Sequence, residues 1–149
     1  MVKAVAGPEN IKKKYEVIEH TADTGISVRG KTLEELFALA GCAMFDLMVD
    51  VRKVKPEEEA KLSLEAESLE ELLVTWLNEL LFRAEVSGMF FSRFEVVSVR
   101  DNKMKASIKG EPYDQKRHPI GQSIKAATYH ELEVARREGQ WLARVIFDI

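Results

Sequence analysis

Two carboxylates fall together where the sequence stops: the side chain of Asp148 and the main-chain carboxylate of Ile149. A strand that ends in paired negative groups invites a cation. Asp23 is a third candidate, in the elbow His20-Thr21-Ala22-Asp23. Loops held by a rigid scaffold commonly supply ligands, although a turn aspartate also bonds nearby backbone amides without further purpose. If the fold brings Asp23 beside Asp148 and Ile149, three carboxylates converge, and such a cluster does not easily stay ionised without a cation. Its hard oxygen donors favour calcium or magnesium over zinc. His20 can serve as ligand, proton carrier or structural hydrogen-bonder. Lys125 follows the Gly121 loop and enters an apolar stretch, either aimed at a site or acting as the charge that keeps an edge strand soluble. Tyr129 and His130 take opposite faces of an extended segment.

Other chemistries find no footing in the chain. No phosphate-cradling glycine loop, nucleophile elbow or metalloprotease helix motif is present. The single cysteine, Cys42, falls inside a helical pattern and reads as a small core residue. An enzyme would have to rest on scattered carboxylates.

The elements that must position these residues follow from periodicity. Tyr15, Val17 and Ile18, then Ile26 and Val28, give two short strands on either side of the elbow. Thr32 with Glu35 forms a capping box, and Leu33, Leu36, Phe37, Ala40, Met44, Leu47 and Met48 lie on one helical face. Ser68 with Glu71 repeats the signal ahead of a second stripe, Leu69 to Ala84. Each helix follows a strand, so a strand-then-helix unit occurs twice. Beyond Phe94 the pattern is mostly strand: a hairpin turns at Asp101-Asn102, a polar loop covers 111–122, and Thr128 to Ala135 and Trp141 to Asp148 are the closing strands. The expected fold is α+β, two helices packed on a largely antiparallel sheet. Residues 1–149 form one domain, with 1–14 a flexible lead-in that carries the solvated run Lys12 to Lys14.

Composition bounds the function. The 149 residues are 46% hydrophobic and 32% charged, with a net charge of -3. Such an acidic average argues against stable nucleic-acid affinity of the chain's own. One cysteine cannot form an internal disulfide, no signal-peptide core opens the chain, and no apolar run approaches the roughly 20 residues of a membrane helix. A cytoplasmic protein is expected.

Four separated motifs resemble the archeases: His20-Thr21-Ala22-Asp23 before a strand, Ala43-Met44-Phe45 in the helix, Lys125-Ala126-Ala127-Thr128-Tyr129-His130, and the closing Phe147-Asp148-Ile149. The likeness runs from Tyr15 onward. Thr24 and Ala127 depart from it, standing where many relatives carry aliphatic residues. The resemblance implies an activator protein, not a ligase, that promotes guanylylation and multiple turnover of the tRNA-splicing RNA ligase. It further implies a divalent-cation site, calcium with magnesium or manganese as alternatives, at Asp23, Asp148 and Ile149. Lys125, with His20 and His130, carries over as the set needed for activation. The implied partner is the ligase protein, with RNA met only through it and no membrane. An alternative of a different class is a chaperone-like or adaptor domain that binds protein clients without a metal.

Overall fold

Both helices start at the signalled hydroxyls. Thr32 Oγ1 accepts the Glu35 amide and Ser68 Oγ accepts the Glu71 amide, each at 3.1 Å, so both satisfy a donor that the helix itself leaves unpaired. In this computed structural model, which describes residues 3–19 and 23–149, helix α1 is Leu33–Met48 and α2 is Leu69–Ser87. Gly88 closes α2 with a φ of 66°, a left-handed cap that a side chain would strain.

The strands are β1 (Ala4–Ala6), β2 (Tyr15–Glu19), β3 (Thr24–Gly30), β4 (Glu58–Glu65), β5 (Met89–Arg100), β6 (Lys103–Pro112), β7 (Ala126–Ala127), β8 (Glu133–Arg137) and β9 (Gln140–Asp148). Among the described residues the paired strands run antiparallel, and two helices pack on them as expected. The strands divide, however, into two sheets. One runs β1-β5-β6-β4; the other runs β2-β3-β9-β7, with β8 also paired to β9.

Helix α1 touches β1 and β5 of one sheet and β3 and β9 of the other. Every residue from Leu36 to Asp46 is buried. The expectation of one buried face is therefore corrected: a helix covered from several sides hides its whole circumference. Phe45 packs edge-on against Phe91, with ring centroids 5.6 Å apart, and Phe94 lies 5.5 Å away. Trp76 of α2 donates its indole N–H to the Phe37 carbonyl at 2.9 Å, tying the helices through a satisfied buried group.

Local turn chemistry sets the hairpins. Asp101 and Asn102 both have positive φ, 56° and 58°, which suits the two-residue turn between β5 and β6. Glu138 and Gly139, at 54° and 79°, do the same between β8 and β9, so the turn is tighter than closing strands ending at Ala135 and starting at Trp141 would leave. The Thr128 to Ala135 strand is also corrected. Thr128 leaves β7 and the chain turns at Tyr129, whose carbonyl accepts the Leu132 amide at 3.2 Å, before β8 begins at Glu133.

The lead-in over 1–14 is not loose in its described part. β1 pairs with β5, Ile11 is buried, and Lys12 reaches Asp46 at 2.7 Å. Asp46 is a buried carboxylate on α1, and the Tyr15 hydroxyl also donates to it at 2.7 Å. A lysine read as solvated thus neutralises a charge inside the fold.

Replacing Phe94 by Ala removes a ring packed on both Phe45 and the α1 face. Chemical denaturation should show a stability loss of about 3 to 5 kcal/mol.

Candidate metal and docking site at the end of β9

Strand β9 carries the site because it is paired on both edges. Thr24 of β3 stands opposite Phe147, and Ala127 of β7 stands opposite the same residue from the other side. Continuing the β3 register by one step sets Asp23 opposite Asp148. Ala126 faces Asp148 across β7, and the Lys125 amide donates to the Asp148 carbonyl at 2.7 Å. Asp23, Lys125, Asp148 and Ile149 therefore belong to the same end of one sheet.

The pairing at this end leaves little freedom. Gly25, two residues after Asp23, lies so close to β9 that a Cβ would sit 2.4 Å from the Val145 carbonyl oxygen. Only glycine permits that approach. On the other edge, the Asn78 side chain of α2 clamps Ala127: its Nδ2 donates to the Ala127 carbonyl at 3.1 Å and its Oδ1 accepts the Ala127 amide at 2.8 Å. The short β7 would otherwise have two pairs to hold it. Nothing in the sequence singles out Asn78 except its place in an apolar helix, where a polar side chain needs a local partner.

Asp148 and Ile149 are exposed and Asp23 is half-buried, so the cluster opens to solvent. The Lys125 side chain is exposed as well, and no ion pair to a described carboxylate holds it. Its link to Asp148 runs through the main chain. His130 belongs to the turn after β7, where its amide donates to Thr128 Oγ1 at 3.3 Å and its ring lies 4.0 Å from the Glu131 carboxylate. Thr128 in turn bonds the Ile146 carbonyl, which sets the turn back along β9 from the Asp148 end. His20 lies outside the described residues.

Among the described residues, no group of three or more His, Cys, Asp or Glu side chains is arranged to hold a metal. The residues brought together fit a hard divalent cation by donor chemistry: two aspartates and a main-chain carboxylate, all oxygen. Cys42 contributes nothing reactive. Burial, with the Asp46 charge second, pushes its thiol up to about 12, and its Sγ points to the Gly7 carbonyl.

A second polar cluster escaped the sequence reading. Glu111, near the end of β6 and so not in the loop expected from 111, and His118, in the loop that follows, are both buried. The Asp114 amide donates to His118 Nδ1 at 2.9 Å, so the ring proton resides on Nε2 and is given to Glu111 Oε2 at 2.9 Å. Arg117 and the Lys55 amide also donate to Glu111. Burial raises the Glu111 carboxyl, but these donors together outweigh it and hold the group at about 2. The cluster fastens the loop: farther along, the Gly121 and Gln122 amides bond the Met48 and Leu47 carbonyls at the end of α1. The chain is thereby delivered to Lys125.

Two sheets around a buried helix, with a strand that ends in a carboxylate, define a small α+β domain. The Archease protein family (MTH1598/TM1083) model matches residues 15–149. The archease of Methanopyrus kandleri is 44% identical over 138 residues, covering 91% of this chain and 99% of that protein. The Methanosarcina mazei archease is 43% identical, covering 92% and 97%. The solution structure of Methanobacterium thermoautotrophicum protein 1598 superposes with a TM-score of 0.80 at 33% identity, over 92% of this chain and 99% of that one. A Thermotoga maritima archease, described as a possible chaperone, gives 0.63 at 25% identity, over 89% and 94%. The chain belongs to the archease family.

Two outcomes follow from this geometry. Asn78→Ala should cost about 1 to 3 kcal/mol and speed amide exchange at Lys125 and Ala127 while the β3–β9 amides stay protected. Because the Glu111 pKa is depressed, its stabilisation is complete above the ordinary carboxyl range and fades as pH falls toward about 2. Acid titration of Glu111→Gln should therefore show a flatter stability profile below pH ~4.5 than the parent chain.

Proposed function

We propose that this protein is a cytoplasmic activator of the tRNA-splicing RNA ligase, promoting ligase guanylylation and multiple turnover through its acidic strand end. The observation that supports the reading is the β3–β9 register, which ends with Thr24 opposite Phe147, next to Asp23 and Asp148, with the Lys125 amide hydrogen-bonded to the Asp148 carbonyl. Asp23, Asp148 and the Ile149 carboxylate would hold a divalent cation, calcium with magnesium or manganese as alternatives. When bound, such an ion supplies charge neutralisation and a hard acceptor for phosphate oxygens.

The chain's own residues do the rest. Asp23 and Asp148 orient the acidic end toward the mouth of the ligase active site, and the tight pairing at Gly25 keeps them there. The exposed ammonium of Lys125 offers a mobile point charge to a phosphate oxygen as nucleotide is transferred or released. At the acidic strand end, RNA is engaged through the ligase in this reading.

A second reading, a metal-independent chaperone or adaptor, draws support from the description of the Thermotoga relative. Multiple-turnover RNA ligation distinguishes the two. Asp148→Ala, and a chain lengthened by one residue after Ile149, should each lower ligase turnover by roughly 10- to 100-fold while remaining folded, and a chelator should abolish activation. Full activation by both variants would refute the acidic-end mechanism. Activation that withstands the chelator would favour the adaptor.

A further inference from the structure

The outward face of the β1-β5-β6-β4 sheet is a different surface, and its charge is opposite to that of the whole chain. Pairing register defines it. Met104, Ala106 and Ile108 of β6 turn into the core, which sends Lys103, Lys105, Ser107 and Lys109 outward. Their neighbours on β4 are Glu65, Ser63, Lys61 and Glu59, and on β5 they are Arg100, Ser98, Glu95 and Arg93.

Two of the three carboxylates of this face, Glu59 and Glu95, have partners nearby, and Glu65 stands opposite Lys103. Ser107 donates to Glu59 at 2.7 Å and Lys3 lies 3.4 Å from Glu95. Arg93 lies 3.8 Å from Glu9. By contrast, Lys61, Arg100, Lys103, Lys105 and Lys109 belong to no ion pair among the described residues. Among the described residues, five cations without an ion-pair contact thus share one sheet face with three carboxylates, in a chain of net charge -3. At about 3.4 Å per residue the three lysines of β6 span roughly 20 Å. A cleft of about 1000 Å³ opens at the Lys103 and Lys105 end, with Glu34, Glu65 and Asp101 also on its lining.

We propose that this face binds the phosphate backbone of double-helical RNA. The net charge of the chain is an average, and phosphate binding depends on the local field. Lysines on flexible stems suit phosphates and are depleted at protein interfaces, which also need an apolar centre that this face lacks. No aromatic side chain stands between the cations, and the aromatic pair beyond the Lys109 end, Phe90 and Tyr113, packs edge-on against itself, so a duplex, whose bases are already stacked, suits the face better than a single strand. The choice of RNA over DNA rests on the proposed ligase role; the charge arrangement does not.

The test is fluorescence anisotropy of a short RNA duplex titrated with the full chain across a salt series. Engagement of all five cations predicts a log K against log salt slope of about -4.5. Lys103→Gln/Lys105→Gln/Lys109→Gln should reduce that slope by about 2.7, and Lys61→Gln/Arg100→Gln by about 1.8. Circular dichroism would verify that both variants fold. Asp148→Ala should bind the duplex as the parent does, which separates this surface from the acidic strand end. No duplex binding at low salt, a slope unchanged in both variants, or preference for the single strand or for polyglutamate would each overturn the proposal.

Discussion

The antiparallel register between β3 and β9 is the constraint on which the rest of the site depends. Side chains alternate with a period of two, so a one-residue slip would turn Ile26, Val28, Val145 and Phe147 out of the core. The core therefore fixes the register, and the register fixes which residues meet at the strand end. Asp23 and Asp148 are about 125 residues apart in sequence and are set at the same sheet end by the pairing of their neighbours Thr24 and Phe147. Gly25 reinforces this from one edge and the Asn78 clamp from the other.

The buried helix α1 explains why two sheets suffice. It replaces the face-to-face contact of a sandwich, filling the space between β5 and β3 with Phe37, Met44 and Phe45. Its carboxylate Asp46 is the cost of that position, offset by Lys12 and Tyr15. The same contacts bind the first strand and turn to the domain. Burial and the Asp46 charge accordingly push the Tyr15 hydroxyl upward, which keeps it a donor.

Much of this was legible in the residues. The capping boxes at Thr32 and Ser68 and the positive-φ turn at Asp101-Asn102 are local signals, and each formed where its chemistry required. What escaped was long-range. The apolar residues of α1 fall on a clear stripe, yet Ala38, Gly41, Cys42 and Ala43 are buried too because they are small enough to lie against a second layer. Periodicity cannot report a partner on the polar side. Lys12, Glu111 and His118 read as surface residues for the same reason: the contacts that tie them into the fold come from partners 4 to 56 positions away. The carboxylate end was visible as residue types, and its assembly needed the sheet.

Cation binding at the end of β9 is the central claim, and isothermal titration of the metal-free chain with calcium tests it most directly. The account predicts one ion per chain, with affinity lowered at least tenfold in both Asp23→Asn and Asp148→Asn. Heat of dilution alone, or binding of equal strength in both variants, would contradict it.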